Sequence, residues 1–241
     1  MAYEHRVVPP VAVVAHGSGS CADFVARAFA DPLREAGYGL VTYEDRTGDI
    51  CVVTARLAAL VDEHRAQLVG GVSLGAHAAV HVAASRPGLA GVLLVMPAWT
   101  GPPGTVAALS SLAADELEVA GLPSVLERLR STPDDAPDAW VAAELASAWP
   151  SYQQVELVQA LLATSRSAGP SLRDLAAVDV PAGIVALESD AFHPLAVARE
   201  WAGLVPTAAL TVVPPPVTDR AALGRAAVNA WRRATGQGSN R

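Results

Sequence analysis

The chain has 241 residues, 51% of them hydrophobic and 17% charged, with a formal net charge of −7 at pH 7. That length suits one large α/β domain with room for an inserted segment. The acidic balance, with lysine absent, excludes the clustered basic surface that nucleic-acid binding needs. No apolar run is long enough to cross a membrane, and the first residues lack the basic start and apolar stretch of a secretion signal. Cys21 and Cys51 are too few for a disulfide framework and have no metal-site spacing. A cytoplasmic protein is expected, with no nucleic-acid or membrane partner.

Val11–Ala15 reads as a buried strand because it is continuously apolar. It runs into the loop His16-Gly17-Ser18-Gly19-Ser20, and an alanine-rich helix follows to about Gly37. Tyr38–Tyr43 suggests a second strand, followed by Asp45-Arg46-Thr47-Gly48 and a helix over roughly Ile50–Arg65. Gln67–Val72 is a third, apolar strand, and Ala76–Ala84 a helix that Pro87-Gly88 ends. Between them lies Gly71-Val72-Ser73-Leu74-Gly75. G-x-S-x-G between strand and helix is the nucleophile-elbow arrangement, in which a tight turn lifts the serine above the sheet edge. Small residues on both flanks let the turn close, and the Leu74 N–H at the helix start can face a developing oxyanion.

Gly91–Met96 is a fourth strand, and the alternation stops at Pro97. From Ala98 to about Val178 the pattern is helical, punctuated by prolines, and holds Trp99, Trp140 and Trp149. Strand Ala182–Leu187, a helix after Pro194, strand Ala208–Val213 and a helix over about Ala221–Ala234 then restore the α/β spacing. The expected division is a core over 1–97 and 179–235, a helical lid over 98–178, and a disordered tail over 236–241. Alternating strands and helices predict a mostly parallel sheet with helices on both faces. Helical insertions at strand ends commonly cover active sites. At least one of these tryptophans is expected to line the cavity, first of all Trp99, which directly follows the strand end and is expected to touch substrate.

Taken together, these segments resemble the α/β-hydrolase superfamily over nearly the whole chain. The matching residues are His16-Gly17-Ser18-Gly19 after the first strand, Asp45-Arg46-Thr47-Gly48 after the second, the Ser73 elbow after the third, Arg86-Pro87, and Asp190-Ala191-Phe192-His193-Pro194. The resemblance implies Ser73 as nucleophile, the Leu74 and Ser18 N–H groups as an oxyanion hole, and Asp190 as the acid that orients a histidine. His16 and Gly17 fall in the segment expected to border the substrate. The family's histidine should follow the last strand, in the order Ser, Asp, His. Here that loop reads Pro214-Pro215-Pro216-Val217-Thr218-Asp219-Arg220, and no histidine follows His193.

A serine hydroxyl needs a base to become a nucleophile near neutral pH. His193 is the first candidate, three residues after Asp190 and within easy reach of a carboxylate–imidazole bond. Its strand should lie two places from the elbow strand, roughly 10 Å away, so contact with Ser73 requires the loop to lean inward. The alternative is a histidine that only caps the following helix. His16 is the second candidate, though a histidine at that point more often holds loop backbone. His77 and His81, stacked at i, i+4, are expected to pack inside; their spacing is zinc-like, but no third ligand is evident and no metal is expected. Glu188 competes with Asp190, whose spacing to Pro194 fits the family pattern better.

Three functions remain open: a serine hydrolase or acyl-transfer enzyme acting on a small, largely apolar ester, lactone or thioester; a hydrolase-fold binder of a small molecule; or a non-hydrolytic lyase or cyclase. No cofactor is called for, and no pattern found reports the oligomeric state.

Overall fold

The computed structural model describes residues 9–136, 138–215 and 219–236. The expected tail beyond Gly236, the first eight residues and part of the loop after the last strand lie outside the described residues.

Six strands form one sheet: β1 (Val11–Ala15), β2 (Gly39–Val41), β3 (Leu68–Val72), β4 (Gly91–Val95), β5 (Ala182–Leu187) and β6 (Ala208–Val213). The order is β2-β1-β3-β4-β5-β6, and every neighbouring pair is parallel. The central strands are buried on both faces, which is why they read as unbroken apolar runs rather than alternating ones. Along β1, Ala12 and Val14 face one layer while Val13 and Ala15 face the other.

On one face pack α1 (Ala22–Glu35) and α10 (Ala221–Ala234), carrying Phe24, Phe29, Leu33, Leu223 and Trp231 into the core. On the other lie α2 (Ile50–Glu63), α3 (Leu74–Ala84) and α9 (Leu195–Leu204), with Leu57, Val80 and Trp201. The chain leaves β1 for β2 on one side and returns to β3 on the other. The crevice between the carboxyl ends of β1 and β3 is therefore the sheet's topological switch point, where open α/β sheets bind ligands.

Between β4 and β5 run α4 (Thr105–Ala120), α5 (Leu122–Arg130), α6 (Ala139–Ala148), a 3₁₀ turn (Trp149–Ser151), α7 (Gln154–Arg166) and α8 (Leu172–Ala176). The first four helices and the turn share their own apolar core, built on Leu117, Val125, Trp149, Leu157 and Leu161. Leu175 of α8 and Val178 belong instead to the core of the sheet. The independent helical block thus ends with α7, short of Val178. Among the described residues, no helix is long and apolar enough to cross a membrane.

β5 packs closely against α10. A Cβ on Gly183 would stand 2.4 Å from the Ala227 carbonyl oxygen and 2.6 Å from the Trp231 nitrogen, both backbone atoms. Gly183→Ala should lower the unfolding free energy by about 2 kcal/mol or more, the usual scale of overpacking, seen as a lower urea midpoint. An unchanged midpoint would show that α10 is not seated on β5 in this way.

Candidate active site

The turn between β3 and α3 is sterically demanding. A Cβ on Gly71 would sit 2.1 Å from the carbonyl carbon and oxygen of Gly75, and one on Gly75 would sit 2.5 Å from the Ala15 oxygen. Only glycines let strand, helix and the end of β1 close this tightly. Ser73 at the apex has φ 54° and ψ −118°, a strained conformation for a residue with a side chain. Its backbone N–H donates to the Val95 oxygen at 2.9 Å, and its carbonyl accepts from Ala76 and His77. Leu74 is the first residue of α3, so its N–H has no acceptor within the helix. Gly17 lies directly alongside, where a Cβ would be 3.1 Å from the Ser73 Cβ.

Ser73 opens onto a cavity of about 160 Å³ beneath the helical block. Trp99, Trp140, Trp149, Phe24 and Phe192 form much of its wall, with Gly17, Ser18, Thr164, Glu144 and His193 as polar members. All three tryptophans of the helical region therefore face it. Trp99 is fastened through its indole N–H to the Ser167 oxygen at 3.2 Å.

His193 lines the same cavity as Ser73. Its Nδ1 lies 2.8 Å from Asp190 Oδ2, while Asp190 Oδ1 accepts the N–H groups of Phe192 at 2.8 Å and His193 at 3.2 Å. The Asp190 side chain is 1% exposed. Burial alone would raise its pKa; the hydrogen bond and charge of His193, with the two backbone N–H groups, overcome this and hold it below the ordinary carboxylate value. The carboxylate thus fixes the ring, with Nδ1 as donor and Nε2 as the free nitrogen. Glu188 is exposed and outside the cavity lining. Among the described residues, no protein group hydrogen-bonds the Ser73 hydroxyl. The two strands that carry Ser73 and His193 are separated by β4.

His16 is directed elsewhere. It is buried outside the cavity lining, donates through Nδ1 to the Gly17 oxygen at 2.7 Å and accepts the Asp45 N–H at Nε2, 2.9 Å. It ties the loop after β1 to the loop after β2. The loop after β1 is also held from above: Trp149 donates to the Gly19 oxygen, Tyr152 to the Ser20 oxygen, and Thr164 Oγ1 lies 2.6 Å from Ser18 Oγ. Arg46, in the loop after β2, reaches the Ser151 carbonyl of the helical block.

Sequence reasoning missed Glu144, Thr164 and Phe192. Glu144 left a trace, since α6 turns Trp140, Val141, Glu144 and Leu145 to one face and the carboxylate interrupts an apolar stripe. The loop after β6 resumes at Asp219 and Arg220, with residues 216–218 outside the described residues. The Arg220 guanidinium binds Glu144 at 2.6 Å.

Known structures place this architecture. A protein described as a non-heme bromoperoxidase, from Mycobacterium tuberculosis, superposes with a TM-score of 0.71 at 20% identity, over 94% of this chain and 93% of its own. The enol-lactonase of Burkholderia xenovorans gives 0.67 at 17%, over 87% and 85%. The fold is that of the α/β-hydrolases. A thermophilic esterase of Thermogutta terrifontis matches at 0.66 and 17% identity, over 93% and 89%. No family model matches the chain and no curated protein matches its sequence. In this α/β-hydrolase fold, Ser73 stands at the turn after the third strand and Asp190 in the loop after the fifth.

His77, one turn into α3, is fully buried, edge-on to Trp99 and against Trp201. Its Nε2 accepts the N–H groups of Ala98 at 3.3 Å and Trp99 at 3.5 Å, which places the proton on Nδ1. Burial, with smaller contributions from nearby His193 and His81, pushes its pKa down to about 3. Unfolded, an imidazole gains a proton below about 6.5; folded, His77 gains it only below about 3. The unfolded state binds more protons throughout that window, so stability falls as pH falls through it. His77→Gln should flatten this fall by about 1.6 kcal/mol between pH 6.5 and 5, measured by urea unfolding beside wild type. Parallel pH profiles would contradict it.

Proposed function

We propose that the protein is a serine-dependent hydrolase or acyl-transfer enzyme acting on a small, largely apolar ester, lactone or thioester. The observation that carries this reading is that His193, held by Asp190, faces the cavity onto which Ser73 opens from its strained turn. A pure binder has no use for a strained serine at a helix N-terminus. The likeness to an enol-lactonase and an esterase adds support at the level of fold. The two unpaired cysteines suit a cytoplasmic setting.

In this mechanism the Ser73 oxygen attacks the substrate carbonyl carbon while His193 Nε2 takes the hydroxyl proton. Asp190, bound at Nδ1, stabilises the imidazolium that forms. The carbonyl oxygen becomes an oxyanion held by the Leu74 and Ser18 N–H groups, aided by the α3 N-terminus. When the tetrahedral adduct collapses, His193 returns its proton to the leaving oxygen or sulfur, and Ser73 is acylated. Water, deprotonated by His193, then releases the acid and restores the serine. The helical block acts as the lid, and the apolar wall selects the acyl group. An apolar cavity of about 150 Å³ takes a benzene-sized molecule, which sets the scale of that group.

Since no protein group among the described residues hydrogen-bonds the resting Ser73 hydroxyl, His193 closes on it when substrate binds, as catalytic contacts often do. The same observation favours the second reading, a binder or non-hydrolytic enzyme. Turnover of 4-nitrophenyl esters from acetate to octanoate separates the two. Ser73→Ala and His193→Ala should each lower kcat about 10³-fold or more with little change in urea midpoint, short acyl chains being preferred. Wild-type turnover in His193→Ala would leave the second reading in front.

A further inference from the structure

Among the described residues that line the cavity, Glu144 is the only carboxylate. Two guanidiniums hold it, Arg27 from α1 and Arg220 from the start of α10, and neither lines the cavity. Oε1 accepts from Arg27 Nη1 at 3.3 Å and Arg220 Nε at 2.6 Å, and Oε2 from Arg27 Nη2 at 2.7 Å. A carboxylate offers about four acceptor positions, so three are taken and one, on Oε2, is open. Burial raises the Glu144 pKa, but the hydrogen bonds and charges of Arg27 and Arg220 outweigh it, keeping the group anionic. As a fastening alone this arrangement is a poor choice, because taking the Glu144–Arg220 pair largely out of water, each side chain being 12% exposed, offsets much of its attraction. An apolar residue would continue the stripe of Trp140, Val141 and Leu145.

We infer that Glu144 is a specificity-determining residue whose open acceptor position hydrogen-bonds a hydroxyl or N–H group on the apolar body of the substrate. The substrate class narrows to neutral esters, lactones or thioesters that carry one such donor away from the scissile carbonyl. Hydrolysis of these compounds rests on the reading above; their recognition rests on the cavity alone. A site with a buried acceptor discriminates strongly against an analogue that lacks the donor, because the acceptor is then left unsatisfied.

Two series test this separately. The first compares 4-nitrophenyl phenylacetate with its ortho-, meta- and para-hydroxyphenylacetate analogues, read as kcat/KM. The second compares phenylacetone with the three hydroxyphenylacetones, which have no leaving group, read by tryptophan fluorescence as Kd. Wild type should favour one hydroxyl isomer over the parent by about 10- to 100-fold in both series. Glu144→Leu should bring that ratio to within about threefold of unity, and Glu144→Gln, which keeps the shape and a neutral acceptor, should lower it about tenfold. If Glu144→Leu does not fold, Glu144→Gln decides. Asp23→Asn, at an exposed partner of Arg27, should leave the ratio unchanged. Equal handling of all isomers by wild type, or an undiminished preference in the Glu144 variants, overturns the inference. A hydroxyl preference among the ketones without ester turnover would keep the inference and retire the hydrolase reading; turnover without preference would do the reverse.

Discussion

The geometry of the site depends on the approach of three backbone segments at the β3–α3 turn. Gly71 meets Gly75, Gly75 meets the end of β1, and Gly17 lies against Ser73. With no Cβ at these points the helix starts directly above the sheet, and Ser73 is driven to positive φ at its apex. The same closeness brings the loop after β1 beside the first N–H of α3. Strain of this kind costs on the order of 1–3 kcal/mol and persists only where surrounding packing imposes it. Here that packing is the doubly covered parallel sheet on which β1, β3 and β4 lie side by side.

The other half of the site is assembled within one loop. Asp190 binds its own loop twice through backbone N–H groups and once through His193, so acid and imidazole form a local unit that needs no second strand. The loop after β6, released from carrying a histidine, delivers Arg220 to Glu144 on the helical block. Arg220 thus holds Glu144 in the wall of the cavity without lining the cavity itself. The helical block is fastened to the sheet domain through polar contacts at the mouth of the site, from Trp149 and Tyr152 to the loop after β1 and from Arg46 to the Ser151 carbonyl. Movement of the block would therefore disturb the Gly17–Ser20 segment directly.

Much of this was legible in the amino-acid sequence. Strands buried on both faces are continuous apolar runs, so Val11–Ala15 and Ala182–Leu187 are readable to the residue, and the partly buried edge strand Ala208–Val213 is bounded as well by its β-forming residues. The serine turn is marked by its small neighbours, and the Asp190–His193 spacing is short enough to imply their bond. What escaped depends on contacts between distant segments. Glu144 meets Arg27 across 117 residues and Arg220 across 76, and Thr164 meets Ser18 across 146; no local period encodes such pairs. Trp149 both packs and lines the cavity, because the helical block has a core of its own. His16 stands at the start of the first loop but spends both ring nitrogens on backbone, leaving none for a substrate.

The central claim is that Asp190 and His193 activate Ser73 from within a single loop. Intact-mass measurement of fluorophosphonate labelling tests it most directly, since labelling requires an activated serine and a working oxyanion hole. Wild type should gain one adduct, mapped to Ser73, and His193→Gln should react at least about 100-fold more slowly. An unlabelled wild type, or equal labelling rates in wild type and His193→Gln, would contradict the account.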